Sequence, residues 1–94
     1  MKAQSARDLD SIRHDIDAVD AELARLFRQR MLLAEEVAEA KRSSGGAVYD
    51  PRREDAVLSK AVQIAGSEFE SETRELFEHI LQLSKARQRG KLGS

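Results

Sequence analysis

The sequence of 94 residues contains no cysteine, no tryptophan, a single proline and few aromatic side chains. Without cysteine, neither disulfide bonds nor thiolate metal sites can form. No apolar run approaches the roughly 18 residues that a membrane span needs, and residues 1–10 lack the apolar stretch of a signal peptide. These absences predict a cytoplasmic protein with no membrane partner and no metal site.

The residues that are present favour helices. Apolar residues make up 40% of the chain and charged residues 35%, and the commonest types are strong helix formers. The formal net charge is only -1, so no overall field attracts nucleic acid. We therefore expect an all-α protein with one domain over residues 1–94, with a core from about residue 8 to 90, that does not bind nucleic acid.

A heptad pattern occupies the first half of the sequence. The positions that form this apolar seam are spaced alternately three and four residues apart, which is typical of helices that pack along one another. They are Leu9, Ile12, Ile16, Val19, Leu23, Leu26, Arg30, Leu33, Val37 and Ala40. Asp8 or Asp10 can cap the helix at its start, and Lys41 and Arg42 suit its C-terminal end.

A helix from about Asp8 to Arg42 would be roughly 50 Å long. A compact monomer of this size has a radius of gyration near ~12 Å, so the helix would extend beyond its own domain and expose apolar seam. Pairing with a second copy buries that surface most simply. The pattern therefore predicts an intertwined helical homodimer.

Two shorter helices are expected after the first. Residues 43–46, Ser-Ser-Gly-Gly, form a flexible link, and Asp50-Pro51 reads as an N-cap followed by proline at the first helical position. This second helix runs to about Ala65 and ends at Gly66. Its inward residues are expected to be Val57, Leu58, Ala61 and Ile64. The third helix runs from about residue 70 to residue 90.

Polar side chains stand where apolar ones are expected. Arg30 occupies a seam position, and a buried arginine needs an anionic partner, either a protein glutamate or a ligand. Lys41 follows eleven residues later on the same side, roughly 16 Å along the axis, which leaves room for one small dianion. Lys41 alone is also explained as a helix-end cation. Arg13 lies too far away around one straight helix, but it can reach the site of an antiparallel partner.

Further polar residues face inward on the other two helices. Glu54 shares a face with apolar residues of the second helix, and Ser84 and Gln88 stand four residues apart on the third. They can also be read as a satisfied polar pair within an interface. No Ser-His-Asp set or His pair accompanies them, so a pocket that stabilises shifting charge is favoured over nucleophilic, metal or redox catalysis.

In order and spacing, these residues resemble the all-helical chorismate mutases over about Leu9 to Gln88. The matching positions are Ile12, Arg13, Ile16, Asp17, Asp20, Leu26, Arg30, Lys41, Val48, Asp50, Arg53, Glu54, Ser84 and Gln88. The resemblance implies a three-helix protomer whose long first helix crosses that of its partner, with two shared sites per dimer. It also implies an isomerase that converts chorismate to prephenate, on the route to phenylalanine and tyrosine, without a cofactor.

The resemblance implies specific roles around the reacting bond. Arg30 and Arg13 of the partner subunit would hold the two substrate carboxylates. Lys41 would contact a carboxylate and the ether oxygen of the breaking C–O bond, and Gln88 would donate a second hydrogen bond to that oxygen.

The remaining roles concern the substrate's ring and its carboxylates. Glu54 would bind the ring hydroxyl, assisted by the backbone near Asp50. Arg53 and Ser84 would complete the surroundings of the carboxylates.

Other functions remain open on the same residues. An isochorismate pyruvate lyase or an aminodeoxychorismate mutase would bind a similar dianion, although Glu54 suits a hydroxyl partner. A non-catalytic helical dimerisation module would explain the heptads but not Arg30, Glu54 or Gln88. The chain can also belong to a bifunctional enzyme, or bind a synthase partner as some relatives do.

Overall fold

A computed structural model describes residues 7–93, and these residues form helices and no strand. The elements, in chain order, are α1 (Leu9–Ser44), α2 (Pro51–Ala65), a short 3-10 turn (Ser67–Phe69) and α3 (Glu70–Leu92). The predicted all-α class and the three helices are confirmed. None of the helices formed by the described residues combines the length and apolar character needed to cross a membrane.

The chain divides into two compact units, Met1–Arg30 and Met31–Ser94. In the first unit, Asp8 caps α1 by accepting the backbone N–H of Ser11 at 2.8 Å. The hydrogen bonds from Ser11 hold the pKa of the Asp8 carboxyl below its ordinary value. A salt bridge of 2.7 Å between Arg7 and Asp15 reinforces this first turn. Of the two residues predicted as possible N-caps of α1, Asp8 is therefore the one that caps the helix.

The apolar seam of the first unit is exposed within the single chain. Five of its larger side chains are about half or more accessible: Leu9 56%, Ile16 49%, Val19 58%, Leu23 55% and Leu26 54%, whereas Ile12 is half-buried. An apolar stripe of this length on a helix is typical of a surface that packs against another one.

In the second unit, α2 and α3 form a helical hairpin. Asp50 caps α2 by accepting the backbone N–H of Arg53 at 3.1 Å, and Pro51 occupies the first helical position, where its missing N–H costs nothing. Gly66 ends the helix with φ of 100°, a conformation that glycine adopts without strain. The end of α2 at Gly66 is as predicted, and the 3-10 turn then leads the chain into α3.

The last turns of α1 are joined to α3 by side-chain hydrogen bonds. Glu35 accepts from Nε of Arg87 at 2.6 Å, and a guanidinium nitrogen of Arg42 donates to the carbonyl of Lys91 at 2.7 Å. Because the paired residue numbers rise together along both helices, the two helices run in the same direction here. Small, buried Ala34 and Ala38, with exposures of 4% and 0%, lie on one face of α1.

Two sequence-based expectations need correction. Ser43 and Ser44 belong to α1 and not to the link, because the helix continues until Gly45, which adopts φ of 78°. Ile64 does not point inward but is 75% exposed, in contrast to buried Ala61. Helical periodicity assigns residues to a face, but it does not say how much of that face another element covers.

Candidate active site

Lys41 stands at the centre of a polar cluster between α1 and α3. Gly45 ends α1, and its N–H donates to the carbonyl of Lys41 at 2.7 Å, which closes a left-handed helix cap. The chain then turns back, so that Nζ of Lys41 donates to the carbonyl of Val48 at 3.3 Å. The same Nζ donates to Oε1 of Gln88, also at 3.3 Å.

Gln88 and Ser84 form the buried floor of this cluster, each only 7% exposed. Nε2 of Gln88 lies 3.5 Å from Oγ of Ser84, a distance at the upper limit for a hydrogen bond. Because Oε1 of Gln88 accepts from Lys41, the amide is oriented with its NH2 group as the remaining donor. Ser84 and Gln88 thus satisfy part of each other's hydrogen-bonding capacity, and Gln88 is also bonded to Lys41 of α1.

Donor capacity remains at the cluster after the internal hydrogen bonds are counted. An ammonium group has three N–H donors, and Lys41 uses two of them on neutral oxygens. Among residues 7–93, no carboxylate lies within ion-pair distance of Lys41. The half-buried positive charge is therefore not neutralised by the described part of the chain, and an anionic ligand suits it.

The first turn of α2 carries three of the predicted residues. Asp50 and Arg53 are both exposed, and they are joined by the capping hydrogen bond. Glu54 is half-buried, as its position beside the apolar face predicts. The structure thus brings Asp50, Arg53 and Glu54 together at the start of α2.

Glu54 has a partner that the sequence did not indicate. Its Oε2 lies 2.8 Å from Nζ of Lys85 on α3, and the two side chains are only about 20% exposed. The Lys85 ammonium also lies 4.9 Å from the centre of the Tyr49 ring, within cation–π distance. These three side chains line a pocket of about 220 Å³ between α2 and α3, together with Leu58 and Leu81.

Arg13 and Arg30 belong to the first unit. Arg13 is exposed on α1, whereas Arg30 is half-buried and engaged in an interaction of its own. Arg30 is less accessible than the seam residues before and after it, Leu26 and Leu33, which are 54% and 50% exposed. The cluster of the second unit holds Lys41, Ser84 and Gln88.

Lys85, Tyr49 and the carbonyl of Val48 were missed as members of the site. The available signal for Lys85 was its place on α3, since residues 81, 84, 85 and 88 share one helical face. A lysine on an otherwise inward face indicates an acidic partner, and Glu54 is the acid on the inward face of α2. A backbone carbonyl leaves no such signal in the sequence.

Comparison with known proteins identifies the family to which the chain belongs. Residues 12–89 match the family described as chorismate mutase type II, the all-helical class of these enzymes. The chain belongs to this family, and the resemblance drawn from the sequence is confirmed. Membership supports chorismate mutase activity at the level of the family. No curated protein and no solved structure matches the chain significantly.

Proposed function

We propose that this protein is a chorismate mutase that converts chorismate to prephenate in the biosynthesis of phenylalanine and tyrosine. The observation that carries this proposal is the Lys41–Gln88 pair, in which a half-buried ammonium and a buried amide retain donors for one ligand. The match over residues 12–89 supports the same reaction. Among the residues that the structure describes, Ser84 lies beside the amide of Gln88 and not beside a base that could activate its hydroxyl, which fits a rearrangement within one molecule.

The reaction breaks the ether C–O bond of the substrate and forms a C–C bond in the same molecule. Its transition state accumulates negative charge on the ether oxygen. We propose that the remaining donors of Lys41 and Gln88 meet that oxygen, because donors placed where charge develops bind the transition state more strongly than the substrate. Val48 supports this role by accepting one of the other N–H groups of Lys41.

Fixed charges also hold the flexible substrate in a reactive conformation. In this proposal Arg30 and Arg13 of the partner subunit bind the two carboxylates, and Arg53 and Ser84 complete their surroundings. Glu54 accepts the hydrogen of the ring hydroxyl. Arginine suits this task because its planar guanidinium binds a carboxylate through two parallel hydrogen bonds.

The site requires a second copy of the chain. The exposed seam of the first unit, from Leu9 to Leu26, supports an intertwined homodimer in which each α1 covers the other. The backbone near Asp50, at the start of α2, assists Glu54 at the ring hydroxyl. We place the enzyme in the cytoplasm, in keeping with a chain that has no cysteine.

Chorismate turnover, followed by loss of its ultraviolet absorbance, tests the proposal directly. We expect prephenate as the only product. Salicylate and pyruvate from isochorismate, without turnover of chorismate, would instead assign a pyruvate lyase. No turnover of any of these dianions by a verified dimer would favour a dimerisation module.

Mixing two inactive variants tests the shared site. Arg13→Ala and Arg30→Ala chains should regain activity when they form heterodimers, because one of the two sites then has both arginines intact. A verified heterodimer without activity would rule out the role of Arg13 across subunits.

A further inference from the structure

The ion pair between Glu54 and Lys85 affects which ligand group Glu54 can bind. The pair is 2.8 Å long and its members are about 80% buried, so solvent screens it less than the exposed pairs of this chain. The Tyr49 ring lies 4.9 Å from the Lys85 ammonium, a cation–π contact that helps to hold the ammonium in this position.

We propose that Lys85 is a specificity-determining residue, which makes Glu54 select a substrate with a ring hydroxyl over one with a ring ammonium group. This inference rests on the proposed function and deepens it. A half-buried carboxylate can accept from a hydroxyl group, but a lone one attracts an ammonium group more strongly, so Glu54 without Lys85 would favour the amino substrate. Lys85 removes that preference by supplying the ammonium partner within the protein.

The hydroxyl and the amino substrates should differ in affinity because they bring different charges to the Glu54–Lys85 pair. A hydroxyl group can donate to the second oxygen of Glu54 while Oε2 stays paired with Lys85, and the local charge remains zero. An ammonium at the same place would be a second cation beside one carboxylate, a few ångströms from Nζ of Lys85. Two like charges at that separation in a partly solvated site repel each other appreciably. The amino compound therefore binds less well.

The other acidic side chains of this pocket should not determine whether a hydroxyl or an ammonium group is preferred. Asp55 and Glu78 also line the pocket, but both are exposed. Water therefore screens their charges more than it screens the Glu54–Lys85 pair. Lys85 is the charged group in direct contact with Glu54.

The test compares how the enzyme handles chorismate and its 4-amino analogue. The quantity to measure is the ratio between the inhibition constant of 4-amino-4-deoxychorismate, used as a competitor, and the KM for chorismate. In Lys85→Met we expect this ratio to fall about tenfold, the order expected for two like charges a few ångströms apart. Lys85→Arg keeps the charge and should keep most of the wild-type ratio.

The matched control is Arg74→Met, which removes one positive charge from the same helix. Arg74 pairs with Glu70 at 3.2 Å, and both side chains are largely exposed. Its ratio should equal that of the wild type. Lys85→Gln provides a second neutral variant if Lys85→Met does not fold.

The outcomes separate the two proposals. If wild type rearranges chorismate but neutral Lys85 variants leave the ratio unchanged, Lys85 only joins α2 to α3 and the specificity role is wrong. Equal loss of affinity for both compounds would lead to the same conclusion. If wild type does not rearrange chorismate at all, the proposed function fails and this inference fails with it.

Discussion

Lys41 of α1 donates a hydrogen bond of 3.3 Å to the side chain of Gln88 on α3, although the two residues lie 47 positions apart in the chain. The contact fixes both groups. It directs the Lys41 ammonium towards the buried face of α3, and it engages the oxygen of the Gln88 amide, so that the NH2 group is left as the donor. Two donors of different charge type are thus held side by side.

The amide of Gln88 predicts activity that depends little on pH. An amide donates hydrogen bonds without ionising, whereas a carboxyl group in its place donates only when protonated. Wild-type kcat should therefore stay nearly constant between about pH 5 and 9. In Gln88→Glu, the donor is lost wherever the new carboxyl group is ionised. The adjacent Lys41 ammonium favours the ionised form, so kcat should be highest at the acid end of this range and well below wild type at neutral and alkaline pH.

Measuring kcat against pH for both proteins checks this assignment. Circular dichroism at each pH serves as a control for unfolding. A wild-type profile that falls steeply near neutrality, or a Gln88→Glu variant with wild-type kcat at pH 8, would contradict the role of Gln88 as a donor.

Gly46 is predicted to control the position of Lys41. A Cβ added at Gly46 would lie 3.2 Å from Cγ of Lys41, closer than ordinary van der Waals contact. Gly46→Ala must therefore displace the lysine side chain by a few tenths of an ångström. We expect kcat to fall, by about tenfold or less, with KM less affected, since small misplacements of a catalytic group slow the chemical step.

Gly90→Ala is the control for that substitution. A Cβ at Gly90 meets no atom of the described residues within 4 Å, and alanine favours helix by about 1 kcal/mol over glycine. This variant should be at least as stable as wild type, with unchanged kcat. Equal kcat in Gly46→Ala and wild type would show that Lys41 tolerates the shift.

Asp50 is predicted to stabilise the start of α2. Its carboxylate caps the helix at the backbone N–H of Arg53, and loss of such a cap costs about 1 kcal/mol. Asp50→Ala should lower Tm by roughly 4–8 °C in a domain of this size. Asp55→Ala removes an acid from the same helix without removing a cap and should change Tm little. Equal Tm values for the two variants would contradict the capping role.

The exposed seam of α1 predicts dissociation when a charge is placed within it. Leu23 is 55% exposed in the single chain, and we propose that a second copy buries it. Leu23→Glu would bury an unpaired carboxylate in that interface, which is strongly unfavourable. Sedimentation velocity should show a dimer for wild type and monomer or unfolded chain for Leu23→Glu.

Gln29→Glu introduces the same charge on α1 at a residue that is not part of the apolar seam, and this variant should remain dimeric. A monomeric wild-type protein at micromolar concentration would contradict the shared site. Dimeric Leu23→Glu would place the interface elsewhere on the chain.

Local signals in the sequence predicted most of the fold. Asp50-Pro51 and Gly66 set the ends of α2 because capping and left-handed backbone conformations depend on few neighbouring residues. The inward polar positions of Ser84 and Gln88 also followed from helical spacing. Pairings between helices did not, because they depend on how one helix is aligned against another. For this reason the Lys85 partner of Glu54 was missed.

The end of α1 shows the same limit at a smaller scale. Two serines and two glycines in a row predict a link, yet the helix continues through Ser44 and ends at Gly45. Serine tolerates the last turn of a helix, and only the glycine adopts the positive φ. The turn that follows brings the carbonyl of Val48 to Lys41. This contact could not be predicted from the sequence because every residue has a backbone carbonyl.

Steady-state turnover of chorismate by wild type, Lys41→Ala, Gln88→Ala and the double variant tests the central claim most directly. We expect each single variant to lose roughly 10²–10³-fold in kcat while remaining dimeric, as when a donor to a developing negative charge is removed. The double variant should lose less than the product of the single losses, because each group positions the other. Near wild-type kcat in folded, dimeric Lys41→Ala would contradict the assignment of this cluster as the active site.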